Sequence, residues 1–215
     1  MKFEHSDTYS WENAFRGMRH PLESYAKSDS AFSSSCVALG ENDLNLAQRL
    51  IAAGSPHDKF MRQIFVSVDI TAPLYWWKEM DTYKVGTTAN STSSMHRLAS
   101  TPITLDCFET DDYNSDLDLI DDVNIGLRVH CFIDDLEQLR QKFLATKDVR
   151  YWKELIRWLP ESWLQTRTWT ANYEVLRNIY FQRQGHKLAE WHSFCEWVES
   201  LPYAKELITY TKEEN

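Results

Sequence analysis

The sequence predicts a helix-rich α+β fold in a single domain with a small antiparallel sheet. Three observations point there. Apolar residues recur at helical spacing through most of the second half of the chain. Residues 60–70 alternate instead, with Ile64, Val66, Val68 and Ile70 set against Phe65, Ser67 and Asp69. The change from a strand period to a helix period falls at Pro73, so a strand feeds directly into a helix. The 215 residues suit one large domain or a tightly joined pair, without internal repeats or a flexible linker.

From the N-terminus, residues 10–19 read as a short amphipathic helix with Ser10 as its N-cap, and the serine-rich residues 28–35 as a loop. In Glu41–Ala53 the side chains of Leu44, Leu46, Ala47, Leu50 and Ile51 recur at helical spacing, and Gly54 supplies the C-cap. Residues 60–70, rich in β-branched side chains, form the strand. Pro73 sits near the first turn of the next helix, where its missing N–H costs nothing. Residues 84–96 carry no apolar period and read as a loop, and the acidic stretch 106–122 as surface. Residues 134–147 place Leu136, Leu139, Phe143 and Leu144 on one helical face. A helix over 152–159 stops at Pro160, and two more, 172–183 and 187–200, flank Gly185.

Composition bounds the class of function. The chain is 43% hydrophobic and 13% aromatic with nine tryptophans, which excludes a disordered polymer. A net charge of −9 argues against a duplex nucleic-acid partner, whose affinity rests on neutralising phosphates. A small phosphorylated ligand needs only a local cluster of cations. Cys36, Cys107, Cys131 and Cys195 form no C-x-x-C pair, so neither a zinc site nor a disulfide framework is expected, and a reducing compartment is. His57, His96, His186 and His192 lack metal-binding spacing, and the acidic stretch lacks the glycine of a calcium loop. No apolar run approaches the ~18 residues of a membrane span, and the polar N-terminus is unlike a signal peptide. A cytoplasmic protein without metal or membrane partner is expected.

The order strand, Ala-Pro, helix, polar loop, long helices, Leu-Pro and a helix ending in Arg resembles the flavin-dependent thymidylate synthases. The segment IFVSVDITAPLYWWKEMDTYKVGTTANSTSSMH is similar to the region of that family where a strand and helix lead into Arg-His-Arg and the signature RHRxxSxNExSxRY. The segment LPESWLQTRTWTANYEVLRNIYFQR resembles its Leu-Pro turn, aromatic strand and N-x-R-x-L…LR helix, and LAEWHSFCEW its following helix. The likeness covers about residues 41–201, and 1–40 have no counterpart. It implies the α+β fold of the thymidylate synthase complementing proteins, a homotetramer, a deoxyuridine-type monophosphate as ligand and FAD as cofactor.

Residue by residue, Ser91 falls on the signature serine beside the pyrimidine nucleotide, and Arg183 on the arginine that contacts it. Arg157 lies one residue from the arginine before Leu-Pro, and Asn90 belongs to the loop of Ser91. These four are the nucleotide-side candidates. That loop, 86–94, would meet a phosphate through backbone N–H groups and hydroxyls. Asn172, His186 and Lys84 are the cofactor-side candidates. The departures fall on the flavin side: Asp81, Thr82 and Tyr83 replace Arg-His-Arg, Ala89 and Ser93 replace a Glu and an Arg, and Arg62 and Gln63 replace a Glu and a His. An Asp where an Arg meets a phosphate reverses an interaction of about 4 kcal/mol at ~4 Å and an effective dielectric of ~20. Arg62, Lys78, Lys84 and Arg157 are the cations placed to restore that charge.

Each candidate has a plainer reading. A Ser/Thr loop is usually just exposed, an Arg at a helix end suits the dipole, and the tryptophans suit a core or a subunit interface. Buried thiols are commonly small hydrophobes, and Ser91 lacks a nucleophile elbow, so no catalytic residue is assigned. The resemblance implies a protein that binds a pyrimidine deoxynucleoside monophosphate and methylates it. The alternatives are a non-catalytic sequestering or sensing homo-oligomer of the same fold, and a purely structural oligomer.

Overall fold

The computed structural model describes residues 1–33, 36–93, 98–110, 119–120 and 123–212. β1 (Lys2–Tyr9) precedes α1 (Trp11–Arg19), and a two-residue ladder, β2 (Ala31–Phe32) with β3 (Val37–Ala38), leads to α2 (Glu41–Ala53). β4 (Phe65–Pro73) runs into α3 (Leu74–Met80), followed by β5 (Thr88–Ser91). The short antiparallel pair β6 (Leu119–Ile120) and β7 (Val123–Asn124) precedes α4 (Ile125–Thr146) and α5 (Val149–Arg157). β8 (Leu164–Asn172) then leads to α6 (Tyr173–Arg183), α7 (Ala189–Glu199) and α8 (Ala204–Leu207).

The principal sheet has four strands in the order β1-β4-β8-β5. Side chains mark the register of its central pair. Thr170 Oγ1 lies 3.4 Å from Ser67 Oγ, Thr168 Oγ1 donates to Asp69 Oδ1 at 2.5 Å, and the Thr71 and Thr166 hydroxyls meet at 2.7 Å. The β8 number falls as the β4 number rises, which is antiparallel pairing. The other face carries Val66, Val68, Ile70, Ala72, Trp169 and Ala171, all buried. The alternation in the sequence is thus the two faces of the sheet.

Contacts divide the chain into two compact units, and β4 and β8 each supply residues to both. One unit holds Met1–Lys2, Thr71–Asp81 and Asn90–Arg167. In it α4 and α5 pack with an apolar cluster of Leu98, Ile103, Phe108, Ile133, Leu136 and Leu155. The other holds Phe3–Ile70, Thr82–Ala89 and Thr168–Asn215. Its core is aromatic: Trp11 meets Tyr173 edge-on at 5.2 Å, Phe15 meets Phe60 at 5.9 Å, and Trp191 meets Phe194 at 5.6 Å. Beside that core the Arg19–Asp43 ion pair is buried at 2.6 Å.

Several boundaries differ from expectation. Lys59–Gln63 is a 3-10 turn that buries Phe60 and Met61, and pairing starts at Ile64, whose carbonyl accepts from Tyr173 N at 3.0 Å. The strand then runs on to Pro73. β5 occupies residues 88–91 of the expected 84–96 loop, and Ala31–Phe32 pairs within the expected 28–35 loop. α4 begins nine residues before 134, because Ile125, Leu127, Val129 and Cys131 alternate and hide the helical period. Ser10 is the N-cap residue of α1, but with φ 70° its side chain makes no capping bond. Ser94, His96 and most of the acidic stretch lie outside the described residues. No helix among the described residues is long and apolar enough to cross a membrane.

Candidate nucleotide site

Arg183 closes α6, where a cation complements the carbonyl end of the helix. Its Nε donates to the Tyr83 hydroxyl at 2.8 Å, and that hydroxyl donates on to Gln182 Oε1 at 3.1 Å. The guanidinium lies 4.5 Å from the centroid of the Trp191 ring and 5.5 Å from that of Tyr83. Trp191 is fully buried in the first turn of α7, and His186 meets its ring edge-on at 6.1 Å. His186 Nδ1 also accepts from Leu188 N at 3.2 Å. Arg183, His186 and Tyr83 therefore gather around one indole, with the arginine's planar head held by aromatic faces.

At the other end of α6, Asn172 is a helix cap. Its Oδ1 accepts from Val175 N at 3.0 Å, and the side chain is 7% exposed. A Cβ on Gly86 would lie 3.2 Å from Asn172 Nδ2, and Gly86 has φ +76°, so the 86 turn passes against the cap only as glycine. This accounts for Asn172 structurally. Lys84 is exposed in the same turn.

Asn90 and Ser91 lie exposed on β5. Just after them, Thr92 N donates to Thr166 O and Gln165 Nε2 donates to Thr92 O, both at 2.9 Å. Extended backbone here replaces the cradle of N–H groups expected of a loop, so a ligand at Asn90 and Ser91 would meet side chains. Arg157 is half exposed and donates through Nη1 to Glu154 on its own helix.

Three of the four cations expected to compensate Asp81 are otherwise engaged, and the fourth, Lys84, is exposed. Arg62 is paired with Glu174, Lys78 Nζ lies 2.6 Å from Glu161 Oε1, and Arg157 holds Glu154. The compensating residue is one that sequence reading missed. Arg167 on β8 donates from Nη1 to Asp81 Oδ1 at 2.7 Å and from Nε to Gln165 Oε1 at 2.9 Å. No local pattern marks it, since it is a lone Arg among threonines.

An α+β fold of this kind, with its small antiparallel sheet and long helices, is that of the flavin-dependent thymidylate synthases. Flavin dependent thymidylate synthase ThyX from Helicobacter pylori complexed with FAD and dUMP is similar at TM-score 0.66, with 16% identity over 96% of each chain. A second structure of ThyX from that bacterium, with FAD and dUMP, is similar at TM-score 0.64 and 16% identity, covering 93% of this chain and 92% of the other. No family model matches the chain, and no curated relative does. At 16% identity the likeness is one of fold.

Proposed function

We propose that the chain binds a pyrimidine deoxynucleoside monophosphate with Arg183 as its phosphate ligand; Ser91, Asn90 and Arg157 belong to the other compact unit and are ligand candidates on the family resemblance alone. The observation that carries this is the preset geometry of Arg183, whose guanidinium is held by Tyr83 and Trp191 before any ligand arrives. Likeness to a structure complexed with dUMP over 96% of both chains supports the ligand class. Arg157 can meet a ligand only by leaving Glu154, a small cost for an exposed pair.

The residues around Asp81 do not fit the diphosphate of FAD. Lys78 on the same helix and Arg167 against Asp81 each face a carboxylate, Arg62 and Arg157 are paired elsewhere, Lys84 is exposed, and Asp81 itself is 54% exposed as a negative charge. Nucleotide binding without flavin, as in a sequestering or sensing protein, is therefore the reading these side chains support best. One feature favours methylation with FAD as the second reading. A recess of about 820 Å³ beside Arg62 and Gln63, walled by Met18, Leu46, Leu50 and Phe60, is large and apolar enough for a tricyclic ring.

Calorimetry with dUMP and with FAD separates the two. Saturable dUMP binding by colourless protein is the expected result. A flavin spectrum in the purified protein establishes the second reading, and failure of dUMP to bind removes the first. A homotetramer belongs to the same proposal, supported by exposed Trp158, Leu127 and Val149 on α4 and α5 and their flank. Light scattering should then give about four times 25.3 kDa.

A further inference from the structure

Away from the Arg183 cluster, a recess of about 1090 Å³ combines aromatic walls with acidic charge. It lies within the unit of Phe3–Ile70 and Thr168–Asn215, beside the start of α1 and the end of α7. Phe3, Tyr9 and Phe32 supply accessible ring surface, and the buried Trp11 and Trp197 back the wall. Among the described lining residues, Asp7 and Glu12 are the only charged ones, with no Lys, Arg or His. Arg16 stays outside the lining, a turn along α1, where its Nη2 donates to Asn13 Oδ1 at 2.7 Å.

The walls are held in place. Phe3 stacks on Trp197 at 5.2 Å with the planes 4° apart, and Trp197 Nε1 donates to Ser6 Oγ at 3.1 Å. Trp11 Nε1 donates to Thr8 Oγ1 at 2.9 Å. Ser10, left-handed at φ 70°, turns the chain between β1 and α1 and sets Tyr9, Trp11 and Glu12 around the same space. Partial desolvation and then the nearby Asp7 carboxylate push the Tyr9 phenol above its ordinary range, so Asp7 and Tyr9 share one locality.

From this arrangement we infer that the recess binds a small organic cation of the quaternary or alkylated ammonium class. Ring faces carry negative quadrupole density that attracts a weakly hydrated ammonium, and the two carboxylates match its charge. The same charges repel a nucleotide phosphate, so this site is separate in chemistry from the proposed nucleotide site.

Choline and its uncharged isostere 3,3-dimethylbutan-1-ol are titrated against the full-length protein, read by tryptophan fluorescence and by calorimetry. Saturable choline binding is expected, at least tenfold tighter than the isostere. In the double variant Asp7→Asn, Glu12→Gln choline affinity should fall at least fivefold, with circular dichroism and dUMP binding unchanged. Both substitutions lie at exposed positions, so loss of fold is not the expected outcome. Phosphatidylcholine vesicles run alongside assign the source: binding to free choline alone marks a solute, and binding to both marks a lipid headgroup. Absence of saturable choline binding, equal affinity for the isostere, or an unaltered double variant overturns the inference.

Discussion

Asp81 Oδ1 accepts a 2.7 Å hydrogen bond from Arg167 Nη1, and the Arg167 guanidinium lies 4.2 Å from the centroid of the Trp77 ring. Asp81 is the C-cap of α3, where a negative charge faces the carbonyl end of the helix. Arg167 answers that charge from β8.

Charge reversal at position 81 should therefore fail to create a flavin site. Asp81→Arg sets two guanidinium groups against each other above Trp77, which is repulsive. We expect no FAD binding by calorimetry and a lowered Tm. Asp81→Asn should change stability by no more than ~1 kcal/mol, because the carboxylate is 54% exposed and the pair is screened by solvent. Tight FAD binding by Asp81→Arg would show that Arg167 can turn away, and would return the flavin reading to favour.

Arg183 tests the nucleotide reading directly. A charge-assisted bond to phosphate contributes about 1.5–3 kcal/mol, so Arg183→Ala should weaken dUMP binding by roughly tenfold to a hundredfold. Arg183→Lys should recover only part, since a point charge loses the planar fork. Tyr83→Phe keeps the ring but removes the acceptor of Arg183 Nε, and should cost less, about 0.5–1.5 kcal/mol. Calorimetry on the three variants gives this order, and unchanged affinity in Arg183→Ala would dissociate the residue from the ligand.

The parts of this fold that were legible are those where burial has a period. β4 shows its two faces as an alternation, and α2, α6 and α7 show theirs as helical spacing. β1 and β5 are edge strands, mostly exposed, so no apolar pattern marks either one. Position 60 misled because Phe60, Met61 and Ile64 all bury, which prolongs the apparent strand backwards through a 3-10 turn. At the site, Asn172 carried a local signal, a capping side chain before a helical run, that the family likeness overrode. Arg167 and Tyr83 carried none. Their partners lie 86 and 100 residues away, and only the register of β8 and the packing of α6 bring them together.

Glu137 should govern part of the acid stability of the unit built on α4 and α5. Its oxygens accept from Arg140 Nε and Nη2 at 2.7 and 2.6 Å, from Ile103 N at 2.8 Å and from Gln141 Nε2 at 2.7 Å. The Arg140 bonds, opposed by burial and helped by the Ile103 N–H, hold its carboxyl from 4.5 down to about 2. A folded value below the unfolded one gives stability that is present above pH 4.5 and lost as pH falls toward 2. Glu137→Gln should lower stability near neutral pH by about 1–3 kcal/mol. It should also flatten the acid limb of urea melts across that interval. A variant with the same acid limb as the parent would mean that other carboxylates set it.

The Arg19–Asp43 pair is the harder test, because it is a buried charge rather than a surface one. Asp43 is fully buried and Arg19 is 4% exposed. Oδ1 accepts from Arg19 Nε at 2.6 Å, while Oδ2 accepts from Ser28 Oγ, Asp29 N and Ser30 N at 2.8, 3.2 and 3.1 Å. Burial alone would raise the Asp43 carboxyl; the bonds from Ser30, Ser28 and Arg19 outweigh it and leave the group below its ordinary range. Its contribution is therefore present above the unfolded pKa and lost as pH falls through the folded one. Asp43→Leu leaves a buried guanidinium without its anion and should cost about 3–5 kcal/mol, and Arg19→Met should cost a similar amount for the converse reason. Removing both charges relieves that penalty, so the double variant should be less destabilised than the sum of the singles. Recovery should still be incomplete, since the N–H groups of Asp29 and Ser30 would lose their acceptor at about 1–3 kcal/mol each. Urea denaturation of the four proteins at neutral pH measures the coupling. Simple additivity would show that the two residues act independently, and the segment between α1 and α2 would then be held by Asp43 through its loop contacts alone.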